Sequence, residues 1–299
     1  MALSLRAVRR KIRTVKNIQK ITSAMKMVAA ARLRRVQERV TAGKPYALKM
    51  KQLVEEVGPF TVGIDHPLLT PRPGRKNPCV VVISGDKGLC GSFNNNIIRK
   101  AQTFIDELGG TSVQLITIGK KGTLYFRKRG YNVLQSFSQI GVNSPFSEVQ
   151  TIADAMTGMY TSGKADEVHV AYTEFITTMR QRPHVGKFLP IEPPGQTAKV
   201  EASSAGRPAA DKEYIFEPAA AELLKALLPK FVRNQVYKFL LESMASEQGA
   251  RMTAMSNATD SAGDVISDLT TAANKARQAT ITKELLEVVN GAEALAAQG

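Results

Sequence analysis

The sequence predicts an α/β protein. Both termini form a long antiparallel two-helix coiled coil, and between them lies a Rossmann-like central α/β domain with a mostly parallel sheet. Three observations carry this. The first 57 residues place aliphatic side chains at spacings of three and four, with no Gly before Gly43 and no Pro before Pro45. The middle alternates short β-branched runs with helical stretches, the pattern of strands joined by crossover helices. From Pro218 the helical signal returns and runs to about Ala297. The expected organisation is an N-terminal helix over 1–57, a linker over 58–78, the α/β domain over 79–217 and a C-terminal helix over 218–299.

In the first segment Leu5, Val8, Ile12, Val15, Ile18, Ile21, Met25, Val28, Val36 and Val40 form one stripe, a narrow seam of coiled-coil type. The helix is expected to continue through Leu48, Leu53, Val54 and Val57 and to stop at Gly58-Pro59. At 1.5 Å per residue it is roughly 80 Å long. No single globular core requires such a helix.

The same stretch carries nearly all of the charge imbalance. The first 52 residues hold fifteen of the 41 Lys and Arg and only one acid, Glu38, in a chain of net charge +15. A pI near 9.9 implies an acidic partner: nucleic acid, an anionic lipid surface or an acidic protein cavity. Nucleic acid is disfavoured. No aromatic residue precedes Tyr46 to stack on bases, and the charges share their helix with an apolar seam that needs another helix. The regular spacing over more than forty residues also argues against reading this segment as a transit peptide.

Residues 58–78 are rich in Pro and Gly. Cys79 to Ile83 is then a buried strand feeding the turn Ser84-Gly85-Asp86. A helix is expected over about Asn95–Leu108, a strand over Val113–Ile118, helices near Lys121–Lys128 and Glu148–Ser162, and a strand over Glu167–Tyr172. Residues 195–212 read as an exposed polar loop. In the last segment Pro218 suits a helix start, and Pro229 predicts a kink or break that leaves a short helix before a long one. Leu223, Leu227, Phe231, Val236, Phe239 and Leu240 give a bulky face. Ala250, Ala254, Ala258, Ala262, Ala272, Ala273 and Ala276 then give a mostly small one, suited to close helix approach. The two terminal helices should pair antiparallel, with Leu5 near residues 265–275.

Chemistry-bearing motifs are sparse. Ser84-Gly85-Asp86-Lys87-Gly88-Leu89-Cys90-Gly91 lies between a strand and a helix, where a phosphate loop would sit, but it has neither nucleotide-binding spacing. A tight turn with close packing is the alternative. His66, His169 and His184 are scattered, and Cys79 and Cys90 form no CxxC. The cysteines read as small buried hydrophobes. No metal, cofactor or catalytic residue is expected, and no apolar run is long enough to span a membrane.

Four stretches resemble one family: KNIQKITSAMKMVAAARLRR (Lys16–Arg35), SGDKGLCGSFNNNI (Ser84–Ile97), ASEQGARMTAMSNATDSA (Ala245–Ala262) and NKARQATITKELLEVVNGAEAL (Asn274–Leu295). In this order they are similar to the gamma subunits of F-type ATP synthases. The resemblance implies a non-catalytic central-stalk rotor whose two helices turn inside an alpha/beta hexameric head. It also implies contact with an epsilon- or delta-type stalk subunit and with the membrane c-ring. By resemblance, Met25, Arg251 and Gln278 contact the head, while Lys44, Pro45, Tyr46 and the segment Tyr214 to Glu217 form the foot on the c-ring. The family's catalytic subunits present acidic loops to the shaft, which a basic shaft complements. Plastid members carry a regulatory cysteine pair, and this chain has no cysteine after Cys90. The expected setting is peripheral, on the matrix side of the mitochondrial inner membrane. The bacterial plasma membrane is the alternative, and a plastid membrane is less favoured.

Overall fold

The run Pro-Cys-Val-Val-Val-Ile becomes the central strand β1 (Pro78–Ile83) because β-branched side chains can be buried on both of its faces. In a computed structural model, which describes residues 5–57, 66–72, 77–191 and 220–296, the elements follow in order. They are α1 (Leu5–Val57), β1, α2 (Phe93–Leu108), β2 (Gln114–Ile118), α3 (Lys120–Lys128), β3 (Asn132–Phe137), α4 (Phe146–Thr161), β4 (Glu167–Phe175), β5 (Gln181–Leu189) and α5 (Ala220–Ala296). The expected fold class is borne out. The sheet order is β3-β2-β1-β4-β5, parallel throughout except for the antiparallel β4–β5 pair.

The chain divides into two compact units, residues 30–251 and residues 1–29 with 252–299. In the larger unit, one sheet face packs Val80, Val82 and Leu115 against Ile97, Ala101 and Phe126 of α2 and α3. The other packs Val81, Ile83 and Ile116 against α4 and against Leu224, Leu228, Val232, Val236 and Leu240 of α5. That row repeats every four residues, so one stripe of α5 faces the sheet. Cys79 is fully buried, and desolvation pushes its thiol up to about 12, the behaviour of a small core hydrophobe.

Strands β3 and β5 are absent from the sequence expectation. Both lie at sheet edges, where β3 is largely exposed and β5 carries Pro183 and Gly186. Edge strands tolerate polar residues and Pro, so neither shows an apolar run. Of residues 58–78, Leu68 is buried in the sheet's core cluster.

The break expected at Pro229 does not occur; α5 is one helix with Pro229 inside it. Proline removes one backbone hydrogen bond, at a cost of about 3 kcal/mol. Here it stands between Leu228 and Val232, both fully buried, and core packing on either side holds the helix through it.

The smaller unit pairs the start of α1 with the end of α5, antiparallel. Lys26 Nζ donates to Ser256 Oγ (3.0 Å), Thr259 Oγ1 to Thr22 Oγ1 (2.8 Å) and Gln19 Nε2 to the Thr259 carbonyl (3.4 Å). The expected stripe needs correction here. Ile18, Ile21 and Val28 are exposed, at 48%, 59% and 52%. The actual seam is Val8, Ile12, Val15, Gln19, Thr22, Lys26 and Ala29, alternating steps of four and three. Polar residues occupy its middle, and an apolar count slides one position off it there. The facing seam on α5 is Met255, Thr259, Ala262, Ile266, Leu269 and Ala273, so it is less uniformly small than expected. Ala272 is exposed.

Candidate functional site

In the larger unit α5 is fastened to the sheet by polar contacts. Ser243 Oγ accepts the Thr173 N–H (3.1 Å), and Ser246 Oγ donates to the Thr173 carbonyl (3.1 Å). Gly249 lets the turn between β4 and β5 approach: an added Cβ would stand 3.2 Å from Phe175 and 3.5 Å from the Thr178 backbone. The sequence shows this Gly only as a helix weakness of about 1 kcal/mol, and the close approach explains it.

Arg251 lies in the same stretch and is 7% exposed. Its Nη2 donates to Glu247 Oε1 (2.6 Å) and to the Gly88 carbonyl (3.2 Å), linking α5 to the loop after β1. A buried guanidinium shared by a carboxylate and a carbonyl is charge-assisted and held in one geometry. Cys90 in that loop is buried; desolvation raises its thiol, and the Arg251 charge partly offsets this.

Several of the loop's polar groups are engaged by the chain itself. Gly85 N–H donates to Asn94 Oδ1, and Asp86 accepts the N–H groups of Lys120 and Gln139 on its two oxygens. Ser84 Oγ accepts the Gly122 N–H. At Gly119 (φ 94°) a Cβ would overlap the Ser84 carbonyl, so the glycine permits two strand ends to meet. The tight-turn reading of this loop is therefore the one the geometry supports.

The other predicted contact residues are dispersed. Met25 is half-buried in α1, and Gln278 is exposed in α5. Lys44, Pro45 and Tyr46 are exposed on α1, which continues through Pro45 to bury Met50, Val54 and Val57. Tyr214 and Glu217 lie outside the described residues. Within the smaller unit the antiparallel register sets Met25 level with about residue 257, well away from Gln278.

A different surface emerges, which residue-type reasoning missed. Gln19 stands beside Gly263 and Lys26 faces Ser256. Extrapolated, this register sets Leu5 opposite about Arg277, so the later residues of α5 lie past the described start of α1. Every residue from Arg277 to Ala292 is exposed. Among them Ile281, Leu285, Leu286, Val288 and Val289 are large and apolar, with Val288 69% exposed. On α1, exposed Ile18, Ile21, Met27 and Val28 share the helix with exposed basic side chains. A concentration of exposed aliphatics on helices marks a surface for another protein. Among the described residues no group of His, Cys, Asp and Glu is placed to hold a metal ion, and no helix is long and apolar enough to cross a membrane.

A family model described as ATP synthase matches residues 4–295. An ATP synthase gamma chain from Pelotomaculum thermopropionicum is 43% identical over 98% of this chain and 99% of its own length. The chain belongs to the ATP synthase gamma chain family. Another gamma chain, from Desulforamulus reducens, is 44% identical with the same coverage. Among solved structures, a chain of the Euglena gracilis mitochondrial ATP synthase OSCP/F1/c-ring assembly superposes with a TM-score of 0.67 at 18% identity. It covers 98% of this chain and 95% of that one, and the likeness concerns the fold. A chain of the Tetrahymena thermophila mitochondrial ATP synthase central stalk and c-ring gives a TM-score of 0.60 at 25% identity, covering 80% and 99%. As a gamma chain this protein is a component of ATP synthase, and the relatives most similar in sequence named above are bacterial.

Proposed function

We propose that this chain is the non-catalytic central-stalk rotor of an F-type ATP synthase, coupling proton-driven rotation of a c-ring to ATP synthesis in an alpha/beta hexamer. The observation that carries this reading, beyond family membership, is the end of α5. Residues 277–292 form a helix with five large exposed aliphatics, uncovered by the described residues. Such a helix gains from entering an apolar sleeve, where burial contributes about 25 cal/mol per Å². The basic face of α1 complements an acidic rim.

Within this reading Met25 and Gln278 are head contacts. Arg251 serves the head by holding the Gly88 loop against α5, since its own hydrogen bonds are made inside the chain. Lys44, Pro45 and Tyr46, with Tyr214 and Glu217, form the foot toward the c-ring, and the stalk also contacts an epsilon- or delta-type subunit. Residues 1–57, 79–217 and 218–299 act as N-terminal helix, α/β domain and C-terminal helix, with 58–78 connecting the first two. The setting is peripheral to a membrane. Bacterial relatives at 43–44% identity, against 17–25% for the mitochondrial structures, favour the cytoplasmic face of a bacterial plasma membrane over the mitochondrial inner membrane.

Pull-down from a membrane extract tests the reading. It should recover alpha and beta ATPase subunits, and the purified chain alone should not hydrolyse ATP. Recovery of nuclease-sensitive nucleic acid in their place, or turnover by the isolated chain at the rate of the assembled enzyme, would overturn it. In reconstituted vesicles Met25→Lys should lower the protons pumped per ATP hydrolysed while part of the hydrolysis survives.

A further inference from the structure

We propose that the cleft at the carboxyl edge of the parallel sheet binds a phosphorylated ligand of nucleotide size. This goes beyond the rotor reading and does not depend on it. The cleft has a volume of about 830 Å³, within the range of small-molecule sites. It opens where Ile83 and Ser84 end β1 and Ile118 and Gly119 end β2, with α1, α4 and α5 supplying the other walls. Strand order reverses direction at β1, since β2 and β3 lie to one side and β4 and β5 to the other. In open α/β sheets that crevice is where ligands collect.

The lining is mixed in a specific way. Ile83, Ile118, Val142, Leu240 and Met244 offer an apolar surface for a flat or hydrocarbon body. Arg32 and Arg35 from α1, Lys87 after β1 and Lys120 at the start of α3 stand on the rim. None of these four makes an ion pair among the described residues. Of the three acids in the lining, Glu247 is paired with Arg251, so Asp86 and Glu148 alone stand against these four bases. The cleft therefore keeps an uncompensated positive charge, the requirement for holding phosphate.

Two wall residues point to a ligand with hydrogen-bond donors as well as phosphate. Gln248, 8% exposed on α5, has a buried amide oxygen without a partner, and so does the Glu148 carboxylate on α4. Unpaired buried acceptors are costly and are normally satisfied. Hydroxyl or amino groups of a nucleoside would satisfy them, whereas inorganic phosphate fills little of the space. The phosphate is held by side chains, because the Ser84–Gly91 turn has already committed groups such as the Gly85 N–H to the protein.

Titration calorimetry on the full-length chain, with ATP, adenosine and pyrophosphate as probes, tests this. Saturable binding of one ATP per chain is expected, with adenosine and pyrophosphate each at least tenfold weaker. The double variant Arg35→Glu with Lys120→Glu should weaken ATP at least tenfold. Arg13→Glu with Lys20→Glu makes the same change of charge at residues that do not line the cleft, and should stay within twofold of the parent. Independently of any variant's folding, ATP should slow acylation of Lys87 and Lys120 and leave Lys16 unaffected. Absence of saturable binding, equal loss in the two double variants, pyrophosphate binding as tight as ATP, or unprotected lysines would each overturn the proposal.

Discussion

Residues 224–251 and residues 277–292 belong to one helix, yet they are ordered by different means. The first stretch buries Leu224, Leu228, Val232, Val236 and Leu240 in the sheet's core and ties Ser243 and Ser246 to the backbone of Thr173. The second exposes every side chain, including Leu285 and Leu286 at 61% and 56%. The former is stabilised by its own chain. The latter has only intrinsic helix propensity and i,i+4 pairs such as Lys283–Glu287, worth a few tenths of a kcal/mol. A helix built this way stores its missing stabilisation in an interface.

Glycine substitutions should break the comparison most sharply. Gly119→Ala drives a Cβ into the Ser84 carbonyl at a positive φ and should cost more than about 3 kcal/mol, enough to abolish cooperative melting near the parent Tm. Gly291→Ala meets no atom within 4 Å and should leave the global Tm unchanged while stabilising the local helix by up to about 1 kcal/mol. Circular dichroism on both variants checks the pair.

Arginine truncation gives the next largest contrast. Arg251→Ala leaves Glu247 largely buried without its cation and the Gly88 carbonyl without a donor, which should cost about 2–4 kcal/mol in denaturant unfolding. Arg34→Ala removes an ion pair whose side chains are 83% and 62% exposed, and should cost under about 1 kcal/mol. Hydrogen exchange sharpens the same point. In the isolated chain the amides of residues 277–292 should exchange at least about 100-fold faster than those of 236–251, and assembly with the head should protect them. Fast exchange that persists in the assembled enzyme would show that no partner covers this helix end.

How much of this was legible in the sequence depended on where each residue's partner lies. Strand β1 announced itself because both faces are buried, so five consecutive residues are apolar or nearly so. Strands β3 and β5 did not, because an edge position makes no demand on composition. Apolar spacing places the seam of α1 one position off over residues 18–28. Gln19, Thr22 and Lys26 pair with α5, while Ile18, Ile21 and Val28 face outward. Apolar residues on a helix that serves two partners report the sum of both surfaces, and spacing alone does not separate them. Pro229 misled for the converse reason: a local rule gave way to burial on both sides. The candidate contact residues came from a family resemblance, and of them Arg251 has the most to show structurally, since its partner Glu247 is one helical turn away.

The smallest effect concerns Glu242. Burial raises its carboxyl, with Glu174 adding to the shift and Lys238 opposing it, and one of its oxygens has no partner. For a carboxyl raised on folding, the folded state binds the proton more tightly than the unfolded state. The destabilisation is then fully present above the folded value and is relieved as pH falls toward the unfolded one. Glu242→Gln should therefore stabilise slightly at pH 8, by under about 1 kcal/mol after solvent screening, and leave Tm closer to unchanged near pH 4. Thermal melts at the two pH values decide it; a larger gain at low pH would contradict the assignment.

The rotor reading is tested most directly by watching the chain turn. With the alpha/beta head immobilised and a probe attached through Lys44→Cys, ATP addition should drive continuous rotation in one direction, stopping when ATP is removed. Hydrolysis at the full rate with the probe stationary would contradict it.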